Sequence, residues 1–329
     1  MLIALLVLVA ALLLAITLGR YPISVADLFN LLTAKFTGRP PDLPAAVSSV
    51  IWQVRGPRVV AAALIGSALA VSGTAFQGLF RNPLVSPDLL GASSGAALGA
   101  VLGIYLSLGI FAIEAFAFAG GLVAVAAVYL IGSATNSRDP VLVLVLTGVV
   151  ISALLGAGVG LVKYVADPYN QLPAMTFWLL GSLAAITDHD LLPLFGPIAL
   201  GTAVLVILRW RMNVMSLPDE EARALGLPTG SLRIVIIAAA TLVTSASVAA
   251  AGIIGWVGLV VPHIARTLVG PEFSRLIPAA ALLGGGFLLL IDTVARTATP
   301  IEIPLGILTA LIGTPFFIWL LAGVSKTWS

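Results

Sequence analysis

The sequence contains no cysteine, few charged residues and only two histidines in 329 residues. The absence of cysteine excludes a disulfide framework, a thiolate metal site and a thiol nucleophile. Charged residues amount to 9% of the chain, whereas an ordinary soluble domain has about 25%. The formal net charge of +2 is too small to predict a nucleic-acid partner. No P-loop motif is present, so the chain cannot supply ATP chemistry of its own.

Long apolar segments dominate the rest of the chain, which is 60% hydrophobic. About 20 apolar residues cross a hydrocarbon core roughly 30 Å thick as a helix. Candidate segments lie at 2–19, 58–80, 91–108, 110–133, 141–162, 191–209, 232–254, 256–269, 276–294 and 304–323. We therefore predict an all-α integral membrane protein, a single domain over residues 1–329 with about ten transmembrane helices. Residues 172–187 are apolar but too short to cross.

The first apolar segment lacks a basic start and a small-residue cleavage site, so we expect a retained span rather than a removed signal peptide. Lys and Arg in the short loops favour an N-terminus in the cytoplasm once the first outer loop is set aside. That outer loop is itself cationic and breaks the rule, which suggests a specific use for its charges.

The run from Val59 to Phe80 is uncharged and rich in Gly, Ala and Ser. Small residues allow helices to approach closely, so this span should pack against protein more than against lipid. An offset of 179 residues also aligns glycines and prolines of the two halves of the chain. This alignment predicts an internal pseudo-repeat of the kind common in transporters. The aligned pairs are Gly73 with Gly252, Pro83 with Pro262, and Gly91 with Gly270.

The stretch 212–233 is the extended polar segment of the second half. It predicts a short helix over 216–226 with Ser216 as its cap, acidic residues near its N-terminal end and Gly226 as its C-terminal stop. Two interpretations remain open from the residues alone. The segment is either a plain surface connector or a docking element that a soluble partner grips.

Isolated polar residues favour structural roles. Asp88 is expected to cap the helix that follows it, and His263 to form an interhelical hydrogen bond. Asp292 and Arg296 have the i,i+4 spacing of a helical ion pair. Glu114 lies close enough to an interface to be solvated. Intramembrane acids are otherwise few, which argues against a proton- or sodium-coupled pump.

Several long motifs strongly resemble the FecCD family, the permeases of ABC importers for iron chelates, haem and vitamin B12. They occur in order along nearly the whole chain, at Arg55–Arg58, Gly73–Gly78, Arg81–Leu84, Leu90–Ala96, Phe177–Ser182, Leu225–Gly226, Gly258–Arg266 and Glu302–Gly306. The resemblance implies a BtuC-like bundle of the type II importers, with ten helices per subunit and a substrate path along the two-fold axis of a homodimer. It also implies two ATP-binding subunits below, an extracytoplasmic binding protein above, and a bacterial or archaeal cytoplasmic membrane.

The resemblance assigns three groups of residues. The inner gate corresponds to Asn82 and Leu84, together with Asp139 and Pro140 in a later loop. Coupling to the ATPase corresponds to a segment at about 212–231, with Ser216, Asp219, Glu220, Glu221, Arg223, Leu225 and Gly226. Docking of the binding protein corresponds to Arg55, Arg58 and Arg296, where we expect a Gly56–Pro57 turn to hold two of the guanidinium groups at the outer surface.

These observations predict a non-enzymatic permease subunit that translocates a metal chelate, with an iron(III)–siderophore favoured. We expect no catalytic residue, no cofactor and no metal ligand. Haem, vitamin B12 and molybdate or tungstate are alternative substrates. Residues 169–173 resemble a branch that contains metal-chelate and oxyanion importers, which argues against a simple haem or vitamin B12 assignment. An ion-coupled secondary transporter and an anchoring membrane subunit are the alternatives of other classes.

Overall fold

The structure is a computed structural model and describes residues 1–19, 21, 23–37, 43–135 and 140–324. These residues form fourteen α-helices and no β-strand. The helices are α1 (Leu2–Thr17), α2 (Val25–Thr37), α3 (Ala45–Ser49), α4 (Gly56–Leu79), α5 (Ala92–Tyr105), α6 (Ile110–Ala134), α7 (Pro140–Val165), α8 (Gln171–Leu180), α9 (Asp188–Met215), α10 (Asp219–Ala224), α11 (Thr229–Ala251), α12 (Val257–Val269), α13 (Phe273–Thr297) and α14 (Leu305–Val324). A π-helical segment, Val50–Arg55, joins α3 to α4, and a 3₁₀ turn, Pro87–Leu90, precedes α5.

Each apolar segment of the sequence coincides with one helix. In the described part of the chain, six helices are long and apolar enough to cross a membrane: the run Ala45–Leu79, and the helices α6, α7, α9, α11 and α13. Four shorter apolar helices accompany them, namely α1, α5, α12 and α14. The all-helical, multi-pass membrane class is therefore confirmed, while the count of ten spans stays a prediction.

Helix α4 is the centre of the bundle and packs against α9, α11, α12 and α13. Its most apolar window is 78% buried, whereas the corresponding window of α7 is 11% buried. The closest approach is to α12, where a Cβ on Gly73 would lie 1.9 Å from the carbonyl oxygen of Gly258. The prediction that the small residues of α4 serve packing against protein is confirmed, because only glycine allows the two backbones to approach this closely.

The expected turn at Gly56–Pro57 is absent. Helix runs without a break from Ala45 to Leu79, and the π-helical segment ends at Arg55, directly before these two residues. The wider π turn has a physical cause, because a proline ring otherwise clashes with the carbonyl four residues earlier. Arg55 and Arg58 consequently lie within a continuous helix and not on an exposed turn.

The predicted repeat register does not pair residues of equal backbone conformation. Gly73 lies inside α4, whereas Gly252 ends α11 with φ of 70°. Pro83 lies in a turn, whereas Pro262 lies inside α12. Gly91 and Gly270 share a positive φ, of 81° and 84°, but their ψ angles differ, at 11° and −179°. Close packing and helix ends both favour glycine, so similar residues recur here for different physical reasons.

Candidate coupling and gate site

The predicted gate turn follows α4, and the chain reverses there through a left-handed residue. Arg81 has φ of 51°. Its N–H donates to the Gly78 carbonyl at 3.2 Å, and the Asn82 N–H donates to the Gln77 carbonyl at 3.1 Å. This pair of bonds is the Schellman ending of a helix, in which the left-handed position is usually glycine. An arginine in that position costs about 1 kcal/mol or more of local strain, which indicates that its side chain is used.

Asn82 and Leu84 are brought together by one local hydrogen bond. The Leu84 N–H donates to Asn82 Oδ1 at 2.9 Å, which is an Asx turn. Leu84 is 45% exposed, so its side chain is available for contact outside the bundle. Asp139, the third predicted gate residue, lies outside the described residues, and of Pro140 only the helical backbone at the start of α7 is described.

The predicted coupling helix is α10, shorter than expected at six residues. Ser216 does not cap it: its hydroxyl donates to the Met212 carbonyl at 3.1 Å and ends α9. Pro218 is the N-cap residue of α10 and makes no side-chain hydrogen bond to it. Its ring instead fixes the backbone at the helix entry. Gly226 ends the helix with φ of 83°, as the sequence predicted.

The carboxylate of Asp219 connects the gate turn to α11. Its Oδ1 accepts from Arg81 at 3.2 Å, and its Oδ2 accepts from Arg233 at 2.7 Å. Arg81 also donates to the Leu217 carbonyl at 3.1 Å. The residue that begins α10 is thus bound on one side to the turn after α4 and on the other to the base of α11.

A second contact holds the far end of α10, where Arg223 Nε donates to the Thr229 hydroxyl at 3.1 Å. The other predicted coupling residues, Glu220, Glu221 and Leu225, point outward and are exposed, with Leu225 at 65%.

Arg81 and Arg233 were not predicted as members of this site. Arg81 could have been suspected because it directly precedes the gate residues, but its partner is 138 positions away. Arg233 ends the polar stretch 212–233, but no local pattern indicates its partner, because it lies one full turn inside an otherwise apolar helix.

Replacing Ala222 with proline should destroy α10. The Ala222 N–H donates to the Pro218 carbonyl at 3.0 Å, and the side chain is 1% exposed. Proline removes this donor and clashes with the same carbonyl, at a cost of about 3 kcal/mol. Uptake by the reconstituted transporter should fall to background while membrane insertion stays normal. Ala222→Ser, which keeps the donor, is the control, and normal uptake by a well-expressed Ala222→Pro protein would contradict the expectation.

The predicted docking arginines are engaged inside the bundle. Arg55 and Arg296 are 6% and 8% exposed. Arg55 donates to the carbonyls of Ile16, Thr17 and Tyr21. Arg55 was expected with Arg58 on an exposed outer turn, and in the structure its side chain is buried instead.

Arg296 reaches the same helix end from α13, donating to the Leu18 carbonyl at 2.7 Å and to that of Ala15. The last carbonyls of a helix have no partner within it. Two arginines from two other helices thus bind the C-terminal end of α1. The function of these arginines as a docking surface remains a prediction. Docking would require each guanidinium group to release the carbonyls of α1 and bind carboxylates of the partner.

Arg58 forms a buried ion-pair network. Its NH2 lies 2.8 Å from Asp292 and 2.9 Å from Glu302, and its side chain is 12% exposed. Asp292 is 1% exposed and also pairs with Arg296 at 3.5 Å, so the predicted i,i+4 pair is confirmed. The network connects α4, α13 and the segment before α14.

The remaining polar candidates differ in outcome. Asp88 accepts hydrogen bonds from the hydroxyls of Ser86 and Ser93. Gly91 is the N-cap residue of α5 and no side chain caps that helix, so the capping prediction is wrong. His263 packs edge-on against the ring of Phe316, with centroids 6.1 Å apart.

Glu114 is half-buried beside a cavity of about 200 Å³ that Asp190 also lines. Within the described part of the chain, no group of three or more His, Asp or Glu could hold a metal ion.

Comparison with known proteins identifies the family. A sequence model of the FecCD transport family matches residues 6–323. The molybdate import system permease protein MolB of Haemophilus influenzae is 39% identical over 312 residues, which cover 95% of this chain and 92% of that protein. The cobalamin import system permease protein BtuC of Halobacterium salinarum is 41% identical over 85% of this chain and 75% of its own length.

An iron chelatin transport system permease of Helicobacter pylori is 42% identical over 84% of this chain and 83% of that protein. A solved structure described as an inward-facing metal-chelate type ABC transporter superposes with a TM-score of 0.88, at 37% identity and 97% coverage of both chains. The chain belongs to the FecCD transport family. It is a membrane permease of the ABC importer class.

Proposed function

We propose that this chain is the permease subunit of an ATP-driven importer that carries a metal chelate, an iron(III)–siderophore in the first place, from a binding protein to the cytoplasm. The observation that carries the proposal is the contact of Asp219 with Arg81. It joins an exposed helix, suited to a soluble ATPase partner, to the turn that would close the path. A carrier driven by an ion gradient does not require an exposed helix that connects a soluble partner to the gate.

The preference for a chelate over a bare oxyanion rests on a cavity of about 720 Å³ between α8, α14 and the segment that joins α11 to α12. Its walls include Leu179, Ile253, Trp256, Ile307 and Leu311, and none of the described lining residues is charged. A small, strongly hydrated oxyanion would lose its hydration shell in such surroundings without compensation. A chelate presents an organic exterior that suits an apolar wall.

The same face supports a homodimer. Helix α14, which lines this cavity, exposes the large apolar side chains of Leu311, Ile318 and Trp319. Lipid covers such a surface equally well, so dimer formation needs its own test. A two-fold axis along this face would place the apolar cavities of two copies against each other, as a shared path requires.

The function is tested by reconstituting the permease with its cognate ATPase and binding protein in proteoliposomes. We expect ATP-dependent uptake of a radiolabelled iron(III)–siderophore and no uptake by the permease alone under a proton or sodium gradient. Uptake of molybdate without chelate uptake would overturn the substrate assignment. Gradient-driven uptake by the permease alone would overturn the class.

Leu84→Cys should crosslink two copies of the chain in one nucleotide state only. The chain has no cysteine of its own, and Leu84 is 45% exposed at the predicted gate. If the gate closes across the two-fold axis, the two thiols approach within bonding distance when it is closed and separate when it opens. Crosslinking yield is measured with and without ATP, with Leu225→Cys as the exposed control. State-independent crosslinking would argue against gating at this turn.

A further inference from the structure

A cationic cavity lies next to the gate turn and is not explained by translocation. It has a volume of about 660 Å³ and lies between the end of α4, α12 and α14. Its polar lining consists of Gln77, Arg81, Asn82, Ser216, His263 and Arg266. Among the residues that the structure describes, no aspartate or glutamate lines it, and the charge that these residues present to the cavity is positive.

Arg266 is the unusual member of this lining. It is half-buried, and its NH1 donates to Gln77 Oε1 at 2.6 Å. Among the described residues, no carboxylate lies within 4.0 Å of its guanidinium, in contrast to Arg58, Arg81, Arg233 and Arg296. A half-buried guanidinium with a neutral partner retains donors that suit an anion.

The second cation, Arg81, reaches the cavity from the gate turn and uses two of its nitrogens on Leu217 and Asp219. The apolar part of the wall comes from α13 and α14, with Phe273, Phe317 and Leu320. Guanidinium groups recognise phosphate through paired N–H donors. The volume exceeds what a bare phosphate needs and falls in the range of small-molecule sites.

We propose that this cavity binds a phosphate-bearing anion, with Arg266 as the principal ligand and the apolar wall in contact with the organic part of the molecule. The chemistry fits two sources, an anionic lipid headgroup from the adjacent leaflet and a soluble phosphate compound. Asn82 and Leu84 also line the cavity. A bound anion therefore stabilises the conformation of the gate in which the cavity is present. Binding itself does not depend on which substrate the permease carries.

The test uses the full chain purified in detergent and two probes. Inorganic phosphate is titrated calorimetrically, and retention of phosphatidylglycerol against phosphatidylcholine is measured by native mass spectrometry after exchange into mixed micelles. We expect one probe to bind and to weaken with added salt. Phosphate binding identifies a soluble ligand, and selective phosphatidylglycerol retention identifies a lipid. Failure of both probes to bind overturns the proposal.

Two variants and a control locate the site. Arg266→Gln should weaken binding about tenfold or more, because a charged hydrogen bond is lost, and Arg266→Lys should weaken it less. Arg275→Gln is the matched control, since Arg275 is 71% exposed and lies outside the cavity lining. Leu320→Glu places a carboxylate in the cavity wall and should abolish anion binding. This variant replaces Arg266→Gln in the test if Arg266→Gln does not fold. Equal binding by Arg266→Gln and Arg275→Gln would overturn the assignment.

Discussion

Arg81→Gly should lower substrate uptake by about tenfold or more while the free energy of unfolding stays within about 1 kcal/mol of the wild type. Two effects on stability oppose each other. Glycine relieves the left-handed strain at φ of 51°, although it gives the unfolded chain more freedom. The lost ion pair with Asp219 has side chains 36% and 25% exposed, and such solvated pairs contribute little.

The expected functional loss has a different cause. Arg81 joins the gate turn to the start of α10 through Leu217 and Asp219. Without its side chain, movement of α10 no longer displaces the turn after α4. ATP hydrolysis by the assembled transporter should continue, but substrate uptake should fall by about tenfold or more, the factor that corresponds to roughly 1.4 kcal/mol of lost coupling. The two rates are measured together in proteoliposomes.

Matched variants separate this link from a general disturbance. Arg81→Lys keeps a charge that can reach Asp219 and should retain part of the uptake. Arg275→Ala removes an exposed arginine elsewhere and should retain all of it. If Arg81→Gly transports as well as Arg275→Ala, the proposed connection between α10 and the gate turn is wrong.

Asp292→Asn should lower the free energy of unfolding by about 3–5 kcal/mol. Asp292 is 1% exposed and lies 2.8 Å from Arg58 and 3.5 Å from Arg296. Its neutralisation leaves two largely buried guanidinium groups with one carboxylate fewer. Removing one member of a buried ion network costs far more than the network contributes in total, because the remaining charge stays desolvated.

Glu302→Gln is the natural comparison, because Glu302 contacts the same Arg58 at 2.9 Å but its side chain is 34% exposed. Water compensates its loss, so we expect a change of about 1 kcal/mol or less. Unfolding of both variants is followed in detergent by thermal denaturation. Similar midpoints for Asp292→Asn and Glu302→Gln would show that Asp292 is not the centre of the network.

The sequence by itself determined the class of the protein. The length and composition of each apolar segment are local properties, and each segment became a helix because a backbone in lipid must satisfy its own hydrogen bonds. The short polar helix was also predictable, since the acidic residues at 219–221 and Gly226 act on their immediate neighbours. The motifs that indicated the family lie in order along the chain and required no structure.

Only the tertiary structure decided what the charged side chains do. Arg55 and Arg296 were assigned to docking of a binding protein, but in the structure they bind the free carbonyls of α1, which no local pattern reveals. Asp292 meets Arg58 across 234 positions, and Asp219 meets Arg81 across 138. An arginine side chain is long and flexible enough to serve lipid, water, carbonyl or carboxylate. Which of these groups the arginine contacts depends on how distant helices pack. The residues next to the arginine in the sequence do not determine that packing.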